Sequence, residues 1–426
     1  MARLLSLVLV AAFFAAPLAR RPVHRSLGEG GSLGEGGGDV RMVEVAGEAA
    51  KYWPRWRGPS GQGLVAPGAY TDKWSPHASL WKVTVPGRGN SSPIVWGDHI
   101  FLTTGYGNGE RLSMLAYSRT DGKKLWETFI PQNGVEYVHY KNGFASATPT
   151  TDGQLVYASF GRHGLVAFDF NGKIAWQHKF GIIDNYHGPA GSPVLYKDRI
   201  FIFQDANPAP GQSAFVGAFD KTTGKTIWQT ARRESVGWGT AVVINTGERD
   251  ELIVSSMYRV AAYDPENGKE LWTVRGNTYE VIPTPVVGHG LVFASSGRAG
   301  DVTSTHVAWS SPRGSPFVPS GIVVGDLLYL INDMQSILTV YEAATGKLVY
   351  QDRLGTAIRE GFSASPVHVN GKIFLTNDDG QTFVVEAGRT FKLLHVNELG
   401  EQTLASPALV DGTWYWRTAS TLRAIR

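Results

Sequence analysis

The residues of this chain best suited to chemistry fall in short polar stretches at recurring positions. They are Arg88 and Asn90; His139, Lys141 and Asn142; Tyr186 and His187; Trp238; Tyr279 and Glu280; Arg313; Arg359 and Glu360; and Gln402. Trp238 is flanked by Gly237 and Gly239, so it can present a flat ring to a planar ligand. Glu280 or Glu360 can serve as a base or hold a cation, and an arginine can bind an anion. Arg88, Asn90, His187, Trp238, Glu280, Arg359 and Glu360 are therefore the candidate cofactor-binding residues. No residue is assigned a catalytic role and none a metal. The eleven histidines include no His-Glu-x-x-His spacing. A plainer account covers the same residues: polar loops are needed to solvate a pore and to satisfy strand ends. For His187, followed by the turn material Gly188-Pro189, a structural role outweighs metal ligation.

These stretches each precede one copy of a repeat. A Ser/Ala-Ser/Thr-Pro entry leads into a β-branched run, then an Asp-x-x-x-Gly-Lys-type turn, then a tryptophan. Ser192-Pro193-Val194, Ile200-Phe201-Ile202, Asp220, Gly224-Lys225 and Trp228 make the clearest copy. Units begin at Pro93, Pro149, Pro193, Ala241, Pro285, Gly321, Pro366 and Pro407, mostly 41 to 48 residues apart, with one step of 56 and one of 36. That period matches a four-stranded propeller blade. Runs such as Leu155-Val156-Tyr157-Ala158 are short and bounded by Gly and Asp, as strands are, and sustained helical periodicity is absent.

The closing aromatic is Trp126, Trp176, Trp228, Trp272 and Trp309, then Tyr350 in the sixth unit and Leu393 or Leu394 in the seventh. The fifth unit is short and irregular from Ser295 to Thr305. The eighth runs out before its last strand, and Trp81 lies twelve residues before Pro93, where such a strand belongs. The expectation is an all-β, eight-bladed propeller of four-stranded blades. An N-terminal strand completes the last blade and closes the ring, which removes free sheet edges. In such a ring the polar stretches face the central channel.

With its repeats laid out, the chain from 52 to 426 resembles the bacterial pyrroloquinoline-quinone-like (PQQ-like) β-propeller proteins. The resemblance rests on the Ser-Pro entries, the Asp-x-x-x-Gly-Lys-x-x-Trp turns and the opener Trp53-Pro54-Arg55-Trp56-Arg57-Gly58-Pro59-Ser60-Gly61. It implies a fold shared by quinoprotein alcohol dehydrogenases and by the outer-membrane assembly lipoprotein. Cysteine is absent, so neither the vicinal disulfide of the former nor the lipidated cysteine of the latter is possible here. No Glu-Asn-Asp calcium set carries over residue by residue. In the opener, Trp53 and Trp56 are expected to plug the ring, with Arg55 and Arg57 in water.

Forty Lys and Arg against thirty-seven Asp and Glu give no electrostatic case for nucleic acid. Residues 1–19, with Arg3 ahead of the apolar run Leu4 to Ala16, read as an export signal too short to prefer a membrane span. Residues 20–51, with the doubled Ser-Leu-Gly-Glu-Gly-Gly, read as a flexible linker. The reading is an exported, monomeric, non-catalytic module of the cell envelope, periplasmic or secreted. It binds a protein or a small ligand at its channel and has no transmembrane domain in the mature chain. The alternative is a PQQ-dependent dehydrogenase oxidising an alcohol or sugar, with Ca²⁺ beside the quinone.

Overall fold

The computed structural model describes residues 13–17, 40–132, 134–207, 214–296, 307–355 and 361–426. Strands dominate them and assemble into eight antiparallel sheets, the blades of a propeller. Blade one spans 94–129, two 150–178, three 194–231, four 242–275, five 286–311, six 322–353 and seven 367–398. Blade eight joins three C-terminal strands (408–425) to Trp81–Thr84, with Trp81 opposite Ala424 and Thr84 opposite Thr421. The N-terminal closure expected from Trp81 is present.

The serine or threonine before each repeat marker turns out to be the fastener of the ring. Its backbone N–H donates to the hydroxyl of its counterpart in the next blade. The bonds run Ser92 to Thr148, Ser192, Thr240, Thr284, Ser320, Ser365, Ser406 and back to Ser92, at 2.9 to 3.3 Å. All eight are buried and close a complete circle, which fixes the blade count.

The tryptophans fasten the rim. The indole N–H of Trp81, Trp126, Trp176, Trp228 and Trp309 each donates to a carbonyl in the turn of the following blade, at 2.8 to 3.1 Å. The glycine of that turn lies under the ring. At Gly224 φ is +70°, and an added Cβ would fall 2.4 Å from Trp176, so a side chain is excluded twice over. The Asp-x-x-x-Gly-Lys turn is thus a hairpin turn and a tryptophan socket together. Trp272 breaks the pattern and donates to Glu251 of its own blade.

Register corrects one expectation. Trp126, Trp176, Trp228 and Trp272 all sit opposite an alanine of the third strand, and Tyr350 sits opposite Val340. In blade seven the equivalent residue, opposite Val384, is His395 rather than Leu393 or Leu394. Its Nε2 lies against the carbonyl oxygen of Asp72, in the segment that leads to Trp81–Thr84.

Two stretches read as outside the ring are built into it. Phe13–Pro17, within the apolar leader, forms the third strand of blade five, pairing with Leu291–Ser295 and with Trp309–Ser311. Arg41–Met42, within the expected linker, adds a fifth strand to blade four, with Met42 opposite Ile244 and buried. Ordered packing therefore starts before Tyr52.

The opener crosses one end of the ring. Trp53 pairs with Val95 of blade one, and the Pro54 carbonyl accepts from Thr151 of blade two. Trp56 Nε1 donates to Thr284 Oγ1, the Gln62 side chain accepts from Val287, and His368 of blade seven brackets Gly63 and Val65. Trp53 is 2 % exposed. The plug is as expected, but its arginines are not in water. Arg55 donates to the Val43, Gly58 and Pro59 carbonyls. Arg57 is fully buried against the Pro366 carbonyl, and burial without a carboxylate partner lowers its pKa to about 9.

Candidate functional site

With one end plugged, the loops leading into the inner strands surround a cup at the other. Its cavity measures about 220 Å³ and draws on all eight loops: Asn90, His139, His187, Trp238, Ile282, Phe317, Ser363 and Leu404. A propeller axis brings residues hundreds of positions apart into one small volume, which is why the polar stretches recur with the repeat.

Trp238 is held from both sides. Its backbone N–H donates to the Val281 carbonyl at 2.9 Å and its indole N–H to the Gly188 carbonyl at 2.8 Å. Beneath its loop, Arg232 and Asp205 form a fully buried ion pair at 2.8 Å, and Arg232 also reaches Tyr263 and Glu234. Asp205 presses so closely on Gly237 that a Cβ there would sit 2.5 Å from its carboxylate. The glycine before Trp238 serves this contact.

His187 stacks on Trp238, with ring centroids 5.4 Å apart and planes 29° apart, and stands 4.5 Å from the His139 ring. Its Nε2 lies 3.7 Å from Glu280. Desolvation, reinforced by His139, lowers its pKa in spite of Glu280. Asn90 donates to the Lys141 and Asn142 carbonyls, and Asn142 in turn to those of His187 and Gly188. These amides hold loops together. Arg88 lines an adjoining pocket of about 330 Å³ that also takes in Asn90 and Lys141. Arg359 and Glu360 lie outside the described residues.

Two acids of the cup side escaped the sequence reading. Asp333 accepts from the Phe317 N–H at 2.7 Å, and burial raises its pKa to about 6. Asp378 is raised to about 6 as well, because desolvation outweighs Lys141, 3.2 Å away, and the Ser363 hydroxyl. Both sit in hairpins between second and third strands. The sequence signal was there: Asn332-Asp333 and Asn377-Asp378 recur at one position of consecutive units.

A quinone and its calcium fit poorly here: His187 covers one face of Trp238. Among the described residues, no group of three or more His, Asp or Glu side chains is placed to hold a metal ion. Around the mouth, by contrast, apolar side chains stand in solvent: Val135, Tyr137, Tyr140, Ile182, Tyr186, Tyr279 and Met334. Tyr137 is 70 % and Met334 72 % exposed. All belong to loops or hairpins of the cup end.

The family model described as outer membrane protein assembly factor BamB matches residues 73–207 and 212–425. Tetrathionate hydrolase of Acidithiobacillus ferrooxidans is 23 % identical over 374 residues, which span 81 % of this chain and 67 % of that protein. Outer membrane protein assembly factor BamB of Burkholderia pseudomallei is 24 % identical over 336 residues, 72 % of this chain and 78 % of that one. Among solved structures, a europium-containing methanol dehydrogenase superposes with a TM-score of 0.60 at 13 % identity, over 86 % of this chain and 89 % of that one. At such identity the likeness is one of fold.

Proposed function

The chain belongs to the PQQ-repeat propeller family whose model is described as the assembly factor BamB, and from that premise we propose that it is an exported, non-catalytic scaffold that docks a protein partner on the open end of its ring. The observation that carries this reading is the rim of exposed aromatic and aliphatic side chains, Tyr137, Tyr140, Tyr186, Tyr279 and Met334, around a cup where the Asn90, Asn142 and Trp238 side chains are tied to backbone carbonyls. Exposed aromatic side chains gathered at one end of a rigid ring suit a protein-binding surface. Tyrosine suits that task because it brings a large contact area at small entropic cost. The Burkholderia relative's name supports a place in the cell envelope and its assembly. Among the described residues no helix is long and apolar enough to cross a membrane.

The test is photo-crosslinking of the full chain in its own cell envelope. Probes at Tyr140 and Tyr186 are expected to trap the same partner, and a probe at Leu125, on an outermost strand, is expected to trap none. Equal labelling from all three positions sinks the proposal. Calorimetric titration of pyrroloquinoline quinone, with and without Ca²⁺, runs beside it. Stoichiometric binding with dye-linked alcohol oxidation would put a dehydrogenase in the scaffold's place.

A further inference from the structure

The pocket where the last blade meets the first differs from the axial cup in charge. Arg417 ends the strand Thr413–Arg417 of blade eight and is 3 % exposed. Its Nη1 donates across the seam to the Ser91 carbonyl and hydroxyl and to the Thr103 carbonyl, at 3.3, 2.6 and 2.8 Å. All three acceptors are neutral. No carboxylate pairs with it among the described residues, and burial lowers its pKa to about 10. Gly89 lies so close that a Cβ would fall 2.7 Å from Arg417 Nη2, so this wall of the pocket is bare backbone.

Arg88 also lines the pocket. Its loop is pinned by two backbone bonds with Gly105, at 2.9 Å each, yet its side chain is exposed and makes no ion pair among the described residues. Opposite stand Asp379, also without an ion pair there, and the Lys141–Asp378 pair. Two guanidinium groups thus share about 330 Å³ with a single uncommitted carboxylate. Neutral acceptors repay little of what it costs to bury a guanidinium, whereas an oxyanion matches its planar fork of donors.

We infer that this seam pocket binds a small oxyanion, a carboxylate or sulfate group, on Arg417 and Arg88. The ligand would touch the first and last blades at once, so its binding strengthens ring closure. The inference stands apart from partner docking on the rim, and either can fail without the other.

The experiment uses the full chain. Sodium sulfate and sodium malonate are titrated calorimetrically at constant ionic strength, and a short acetylated Asp-Glu peptide separates a free solute from an acidic segment of a protein. One site per chain is expected, with a rise in melting temperature that sodium chloride does not reproduce. Arg88→Gln, at an exposed side chain, should keep the fold and weaken binding about tenfold or more. Arg417→Met should abolish binding; since it also cuts the seam bonds, a selenate soak of wild-type crystals tests that residue without mutation. An anomalous peak beside the Arg417 guanidinium supports the site. Equal affinity in Arg88→Gln, a chloride effect as large as that of sulfate, or selenate confined to the outer surface as an adventitious ion only would each overturn it.

Discussion

The two ends of this ring handle the same residue types in opposite ways. At the plugged end, Trp53 and Arg57 are almost wholly buried, Trp56 bonds the inner circle at Thr284, and Gln62 caps Val287. At the open end, Tyr137, Tyr186 and Met334 stand in solvent while the amide and indole groups below them bond backbone carbonyls. An aromatic at the first end is packing, and one at the second is a surface for something else. A residue's type therefore says little about its task until the end it occupies is known.

That contrast can be broken most forcefully at the plug. Trp53→Ala removes a large side chain from the aromatic cluster shared with Trp414 and Trp416, and should cost about 3–5 kcal/mol in denaturant unfolding. A loss below 1 kcal/mol would mean that the plug is decoration. At the open end the largest effect should come from an acid and should carry the opposite sign. Asp333 has a folded pKa raised to about 6, so the folded state holds its proton more tightly than the unfolded one. Its contribution is most favourable below the unfolded value near 4 and declines as pH rises through 6. Asp333→Asn keeps an acceptor for Phe317 and should stabilise the protein by about 1–3 kcal/mol at pH 7.5, with the gap closing by pH 4. A gap that widens on acidification would refute the buried-acid account.

Arg57→Met sharpens the comparison within the plug, because it keeps the packing stem and removes the uncompensated charge. Stability should change by less than about 1 kcal/mol, far less than for Trp53→Ala. The smallest effect belongs to the rim. Tyr137→Ser should leave stability within about 0.5 kcal/mol and reduce partner crosslinking. If it unfolds the protein instead, the rim is part of the core and the contrast between the ends disappears.

Much of the ring was legible because its fasteners are local patterns. The Ser/Thr-Pro entry marks the inner circle, and the Gly-Lys-x-x-Trp turn carries both halves of the outer joint. Even the vacancy in blade eight could be counted from Trp81. What was missed shares a cause: a residue of unexpected type in an occupied place. His395 stands in a tryptophan's place, and Arg55 and Arg57 look like surface until the strand ends that enclose them are known. Blade five is irregular in sequence, but no spacing rule shows that Phe13–Pro17 fills its third position. Asn90, His187 and Trp238 do line the cup and Glu280 stands beside it, yet their partners are mostly backbone carbonyls and one another. Following only the loops that precede each marker hid Asp333 and Asp378, which reach the same end from neighbouring hairpins.

The buried circle from Ser92 back to Ser92 has one more consequence. Linear arrays of repeats melt from their terminal units, which have a neighbour on one side only. Here each unit donates forward and accepts from behind, and the eighth hands back to the first. The array is a lattice without ends, so there is no cheapest unit from which to fray. Removing any one hydroxyl opens the lattice at that point and creates two termini where there were none. The position of the break, and not the chemistry of the lost bond, should then decide where melting begins.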